Sequence, residues 1–404
     1  MTTVTKTGDS TVERHDVVRP GMCGHNSLLL GQIGDWTWEA VSRVCDTDVL
    51  RAEDATGRPT YLSFYYYRVR GGRLFQPRTP GFGDHLQTSS RVFDFGSESV
   101  LTLHRIRRFT RPPSSPPPPF DVDEFYAGTD LDCLYVENFN RWIGRGGQAG
   151  NADLVTASPK GFHHRHLPAL PDRYSPRRCF HRARTTGTFR ADPAELVDVD
   201  ETTVTYRVDP TRDLNGVGLL YFAAYFSIVD WALLRWWRSR GRSDDAFMRR
   251  VVTDQQLCYL GNADAGCEIT IRLRVRRHPA ETAEIVDLTL HEGTGRWPCA
   301  PCTCPMRRCH DHHRRTRRHG PAGPVRGHRP DTARNRRHRH PGRPTPAGSG
   351  RRLDRSRRDH HGGSRPFRHH RTHGAFQFGA RHRRAGRAHR RATGEPGWLT
   401  ASTP

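Results

Sequence analysis

The chain has 404 residues, room for two or three domains, and a formal net charge of +23. Residues 296–404 hold 28 Arg, no Lys and five acidic residues, which accounts for the whole excess and leaves residues 1–295 formally neutral. This excludes a uniformly basic nucleic-acid binder and describes a neutral body with a basic tail.

The chain opens with MTTVTKTGDSTVERHDVVRP. It has no apolar signal core, so a cytoplasmic protein is expected, with residues 1–12 as a flexible N-terminus. Six scattered body cysteines (Cys23, Cys45, Cys133, Cys179, Cys258, Cys267) show no framework spacing and read as reduced thiols.

A first unit spans 13–165. It starts with a strand-like ERHDVVRP, followed over Gly21 to Val44 by a glycine-rich turn leading into a helix. Thr60 to Val69, His85 to Phe95 and Ser97 to Arg107 are rich in aromatic and β-branched residues and predict strands. PPSSPPPP at 112–119 is a stiff extended connector. Beyond it, CLYVENFNRWIGRGG reads as a strand and then a helix, with a loop after it.

A second unit, 166–296, repeats this plan. Thr202 to Val208 predicts a strand and Gly216 to Arg240 a helix, and Val251 to Leu260, Glu268 to Val275 and Ala283 to Leu290 predict further strands. At an offset of 195 residues Gly21 matches Gly216, Asp35-Trp36 matches Asp230-Trp231, and Leu62-Ser63-Phe64 corresponds to Leu257-Cys258-Tyr259. Gly216 to Leu234 imitates a membrane span, but Asp230 interrupts it, so a buried core helix is expected and no membrane. Each unit sets a long helix against antiparallel strands, an α+β layer architecture.

After Arg296 there is no Ile or Tyr, one Val and two Leu, too little apolar matter to offset the entropy of ordering the chain. Residues 297–404 are therefore expected to be a disordered tail rich in Arg, His and Pro, whose composition matches out-of-frame translation of a GC-rich gene. The break falls where one more strand belongs. The tail invites two other readings: arginines binding nucleic-acid phosphates, and zinc held by Cys299, Cys302, Cys304, Cys309 and nearby histidines. The cysteine spacing is irregular, and no metal is expected.

Asp213-Leu-Asn215-Gly-Val-Gly218-Leu-Leu-Tyr221-Phe-Ala-Ala-Tyr225-Phe226 resembles the hot-dog thioesterase signature. RPGMCGHNSLLLGQIGDWTWEAV, PTYLSFYY, DFGSESVLTLHR and CLYVENFNRWI are similar to a narrower family, the double hot-dog acyltransferase/decarboxylases of polyketide pathways of the leinamycin type. The resemblance runs from about Val17 to Arg296 and implies a double hot-dog fold. It further implies methylmalonyl-CoA as substrate and an acyl carrier protein as acceptor of a propionyl group. The coenzyme A thioester is then substrate and no cofactor is needed. A homodimer is expected as well. Tyr61 of PTYLSFYY stands where the family's essential tyrosine lies.

Along a strand Tyr61, Ser63 and Tyr65 share one face. A protonated phenol at Tyr61 can donate to an enolate oxygen. It can act as an acyl-accepting nucleophile if a neighbour lowers its pKa, or merely pack in the sheet. Gly24, His25 and Asn26, entering the first helix, offer N–H groups to a thioester oxygen, with a helix cap and an exposed imidazole as the plain alternatives. Asp213 and Asn215 hold the equivalent place in the second unit, Asp213 as base, nucleophile or cap. Asn138 and Asn140 either face the site or hold a loop. The body lacks a phosphate loop, a G-x-S-x-G elbow and H-E-x-x-H. The expected activity is acyl transfer with decarboxylation. The rivals are a thioesterase or dehydratase run by Asp213, and a nucleic-acid binder using the tail.

Overall fold

A computed structural model describes residues 2–147, 151, 153–191, 193–280 and 283–292, and the backbone of 298–307. All lie in one unit, Met1–His313; most of the basic tail, 308–404, is outside the described residues.

Strand β2 (Thr11–Val17) is the predicted first strand, with Val12 and Asp16 buried. Ahead of it β1 (Thr3–Lys6) pairs antiparallel with β2, so the stretch expected to be flexible contains a strand. Helix α1 (Asn26–Cys45) follows. Leu29, Leu30, Ile33, Trp36, Ala40, Val41 and Val44 recur at three- and four-residue spacing and are buried. Next come β3 (Tyr61–Arg70), β4 (His85–Asp94), β5 (Ser99–Phe109), the short helix α2 (Val122–Ala127), β6 (Cys133–Arg145), β7 (Leu154–Thr156) and α3 (Pro176–Thr186).

Strand β6 corrects the reading of CLYVENFNRWIGRGG as strand then helix. It runs unbroken through thirteen residues because β5 and β3 pair with it on its two edges. Tertiary pairing overrides the local helical pattern. Its buried run reflects cover on both faces. Phe125 of α2, Phe180 of α3 and Phe189 close the side facing away from α1, against Tyr66, Leu103 and Phe139.

The second half contains β8 (Val197–Arg207), α4 (Ala224–Ser239), α5 (Asp244–Met248), β9 (Val251–Val252), β10 (Asp254–Cys258), β11 (Glu268–Arg277), β12 (Ala283–Glu292) and β13 (Pro298–Arg307). Helix α4 starts eight residues later than Gly216. Asn215 Oδ1 accepts the N–H groups of Val217 (3.2 Å) and Leu219 (3.0 Å), and Asn262 Oδ1 accepts that of Leu220 (2.9 Å). Gly218, at φ +77°, turns the chain between them. These side chains capture the donors that a helix would use. The predicted strand Val251 to Leu260 is split into β9 and β10.

The strands form one antiparallel sheet in the order β1-β2-β4-β5-β6-β3-β10-β13-β12-β11-β8, with β7 on β6 and β9 on β13. From β2 to β3 the first half reads first, third, fourth, fifth, second. From β8 inward to β10 the second half reads the same. The halves meet at an antiparallel seam from Arg70↔Asp254 to Tyr66↔Cys258. The 195-residue repeat is thus two copies of one topology related by a pseudo-twofold axis.

Strand β13 lies beyond Arg296, where the fold was expected to end. Its backbone occupies in the second half the place of β6 in the first, between β12 and β10. Three of its residues, Pro298, Pro301 and Pro305, bring no N–H to a ladder.

Helices α1 and α4 lie against each other. Ser227 donates to Ser27 (2.7 Å) and Asn26 Nδ2 to Asp230 (3.0 Å). One apolar core runs through both halves, joining Leu30 and Ile33 of α1 and Phe226, Val229 and Leu233 of α4 to Phe64 and Leu257 at the seam. Among the described residues, no helix is long and apolar enough to cross a membrane.

Candidate active site at the open end of the seam

The seam between β3 and β10 comes apart at one end. The Tyr259 N–H donates to Tyr65 O (3.0 Å), and beyond that bond the strands diverge. The gap is a cavity of about 270 Å³. Tyr61, Ser63 and Tyr65 line it from β3, Arg141 and Ile143 from β6. Asn215, Leu219, Leu220 and Phe222 line it from the turn before α4, with Tyr259 and Asn262 opposite.

Tyr61 is fixed on two sides. Its ring meets Trp38 edge-on, with centroids 4.9 Å apart, and Trp38 Nε1 is anchored on Leu62 O (2.9 Å). Asn215 Nδ2 donates to the Tyr61 oxygen (3.2 Å). The two backbone N–H groups held by Asn215 Oδ1 leave its amide no other orientation. The phenol oxygen is therefore occupied as acceptor, and its own hydrogen is left to donate to a ligand. Burial pushes the Tyr61 pKa well above the ordinary phenol value; Tyr221 and Asp35 act the same way and outweigh the Asn215 hydrogen bond. At neutral pH Tyr61 is a protonated donor, and no neighbour depresses its pKa as a phenolate nucleophile requires.

The turn carrying Asn215 is itself clamped. Asp213 is buried: Oδ2 accepts from Tyr206 OH (2.7 Å) and the Asp209 N–H (2.8 Å), and Oδ1 from Arg212 Nε (3.1 Å). Asp213 is absent from the cavity wall and both its oxygens are engaged. It is a structural clamp on the turn, and the expectation of a base or nucleophile there is corrected.

Five other expected residues also lie elsewhere. His25 is exposed at the α1 N-terminus, with Nδ1 2.5 Å from Ser27 Oγ, and Gly24 precedes it at φ +125°. Asn26 is spent on Asp230. Asn138 points from β6 to α1, donating to Thr37 Oγ1 (2.6 Å) within a buried chain through His104 to Ser90. Asn140, on the same β6 face, donates to Ser63 O (3.3 Å). The helix N-terminus expected at the site belongs to the wrong half: the turn before α4 faces Tyr61, because the seam brings β3 to the second half.

Of the expected residues, Tyr61, Ser63, Tyr65 and Asn215 meet at the cavity. Arg141, Phe222, Tyr259 and Asn262 went unnoticed. Strand alternation along NRWI, once β6 is a strand, would have put Arg141 and Ile143 on the face opposite Asn140 and Trp142. Among the described residues no group of three or more His, Cys, Asp or Glu side chains is placed to hold a metal.

No curated protein matches this sequence. Among solved structures, one assigned as an oleoyl thioesterase from Lactobacillus plantarum aligns with TM-score 0.46 at 12% identity, covering 74% of this chain and 96% of its own. The acyl-ACP thioesterase from Bacteroides thetaiotaomicron VPI-5482 aligns with TM-score 0.42 at 9% identity, over 73% and 97%. The 12:0-ACP thioesterase from Umbellularia californica gives 0.42 at 11%, over 74% and 94%. Residues 13–191 match the family model described as the LnmK N-terminal Hot Dog Fold domain, so this part of the chain is similar to the hot-dog domain of the leinamycin-type family.

Proposed function

We propose that this protein is an acyltransferase/decarboxylase. It converts methylmalonyl-CoA to a propionyl group on the phosphopantetheine thiol of an acyl carrier protein, at the Tyr61 cavity. The observation that carries this reading is the protonated Tyr61 phenol, oriented by Asn215 with its hydrogen free to donate. The bond between C2 and the carboxyl carbon breaks, CO2 leaves, and the electron pair moves into the thioester as an enolate. The enolate oxygen accepts the Tyr61 O–H, a donor held in place by Asn215 and Trp38. C2 then takes a proton from solvent. The carrier thiol attacks the thioester carbonyl and the coenzyme A thiol leaves.

The test is mass spectrometry of a carrier protein incubated with methylmalonyl-CoA and either the parent protein or Tyr61→Phe. A propionyl mass shift with the parent, reduced about 10²–10³-fold in rate in the variant, is expected for loss of one oxyanion donor. Free propionate and coenzyme A, with an unmodified carrier, would replace this reading with a thioesterase. Unchanged transfer by Tyr61→Phe would remove Tyr61 from the chemistry.

A further inference from the structure

Besides Tyr61, the cavity wall contains a cation. Arg141 lies on β6 directly across from Ser63. Its guanidinium sits over the Tyr65 ring, 5.1 Å from the centroid, and Tyr65 is stacked on Phe180 at 4.0 Å. The aromatic pair holds the arginine in place.

The neighbouring arginines of this sheet are matched. Arg68 pairs with Asp254 (2.7 Å) and Arg107 with Asp130 (2.9 Å), and Arg105 donates to Pro119 O (3.4 Å). Among the described residues Arg141 has no carboxylate within 4 Å and no hydrogen-bond acceptor. A half-buried guanidinium gives up part of its hydration and here gains only a ring in return. Its planar fork matches a carboxylate with two parallel bonds.

We propose that Arg141 binds the free carboxylate of the acyl group and so selects carboxylate-bearing thioesters over plain ones; this rests on the thioester reading of the Tyr61 cavity. Tight pairing stabilises the carboxylate before CO2 leaves, so Arg141 contributes to binding and not to the rate of bond breaking. It is a specificity residue beside the Tyr61 donor.

The test is calorimetric titration of methylmalonyl-CoA, propionyl-CoA and coenzyme A into the Tyr61→Phe protein, which slows turnover, with and without Arg141→Met. Methylmalonyl-CoA is expected to weaken about tenfold to a hundredfold, the range for one charge-assisted contact, while propionyl-CoA and coenzyme A stay within twofold. Equal weakening of all three ligands would assign Arg141 to the coenzyme phosphates and overturn the proposal, as would no weakening at all. If Arg141→Met does not fold by circular dichroism, Arg141→Lys replaces it; the charge without the fork should weaken methylmalonyl-CoA alone, by about three- to tenfold. In otherwise native protein, Arg141→Met should raise KM for methylmalonyl-CoA and leave kcat unchanged or higher. A parent protein that binds neither thioester defeats the thioester reading itself and this assignment with it.

Discussion

Gly34 of α1 touches the turn that builds the cavity. A Cβ added there would lie 2.2 Å from Phe222 Cζ, and 2.9 and 3.1 Å from Cε1 and Cε2. The ring would have to retreat by more than an ångström to reach ordinary contact. It is held, because it also stacks on Phe64 with centroids 3.9 Å apart, and Phe64 is buried at the seam. In an open helix Gly→Ala gains about 1 kcal/mol. Here overpacking costs about 1–3 kcal/mol, so Gly34→Ala should lose up to about 2 kcal/mol net. Because Phe222 also lines the cavity, KM should rise. Gly31, one helical turn earlier, is the control. Its Cβ would meet the tip of Tyr221 at 2.9 Å and then only Ala223 at 3.5 Å, so Gly31→Ala should stay within about 1 kcal/mol of the parent. Urea unfolding followed by tryptophan fluorescence and far-ultraviolet dichroism measures both. A Gly34→Ala protein more stable than its parent, or less damaged than Gly31→Ala, would refute the packing argument.

Two further predictions concern the body. Glu137 is buried, and burial pushes its pKa up to about 7, opposed by Arg68 and a hydrogen bond from Tyr126 OH (3.0 Å). A pKa raised in the folded state binds an extra proton there, so this stabilisation is present below about pH 4.5 and lost as pH rises through 7. Glu137→Gln should remove on the order of 2–3 kcal/mol of the difference in stability between pH 5 and pH 8. Identical denaturation profiles against pH for the two proteins would show that the carboxyl is not desolvated as described. A chain ended after Arg307 should keep the parent melting temperature. One ended after Glu292 loses the nine registered positions between β13 and β12. At about 1 kcal/mol net per ladder bond it should lose several kcal/mol and bind a hydrophobic dye. Equal melting temperatures would mean that β13 contributes nothing.

Much of the fold could be read in the sequence because period and repeat are strong signals. The strand–helix–strand plan of each half and the burial of Ala224 to Leu234 follow from apolar spacing, and the 195-residue offset from matched residues. The misreadings come from contacts made at long range. NRWIGR looks helical until β3 and β5 pair with it, and the turn ahead of α4 is held at Leu220 by Asn262, 42 residues away. At the site, Tyr61 and Asn215 came from a family motif and from helix-entry logic. The wrong partners, His25 and Asn26, came from joining Tyr61 to the helix of its own half. Which helix faces which strand depends on how the two halves meet, and local sequence does not carry that.

The same seam has a roomy cavity at one end and little space at the other. At its other end the last bond runs from the Gly71 N–H to Thr253 O (3.0 Å). By pseudosymmetry a second cavity belongs there, beside the N-terminus of α1. The space is about 10 Å³ instead, walled by Asn26, Gln76, Arg78, Arg250 and Gln255. Arg250 fills it. Its guanidinium lies over the Phe247 ring at 3.6 Å, donates to Phe247 O (2.9 Å) and pairs with Asp230, which also receives Asn26. At the 195-residue offset Gln256 replaces Tyr61, and its oxygen is already bonded to Tyr66 OH (3.0 Å). Pro20 replaces Asn215 and has no amide to orient a phenol. A buried guanidinium stripped of its partner costs several kcal/mol, so this end is committed to holding α1 and α4 together. Only the Tyr61 end combines open volume, an unspent donor and an unpaired guanidinium. Two ends of one seam, alike in topology, differ in chemistry because one arginine is satisfied inside the protein and the other has no carboxylate partner among the described residues.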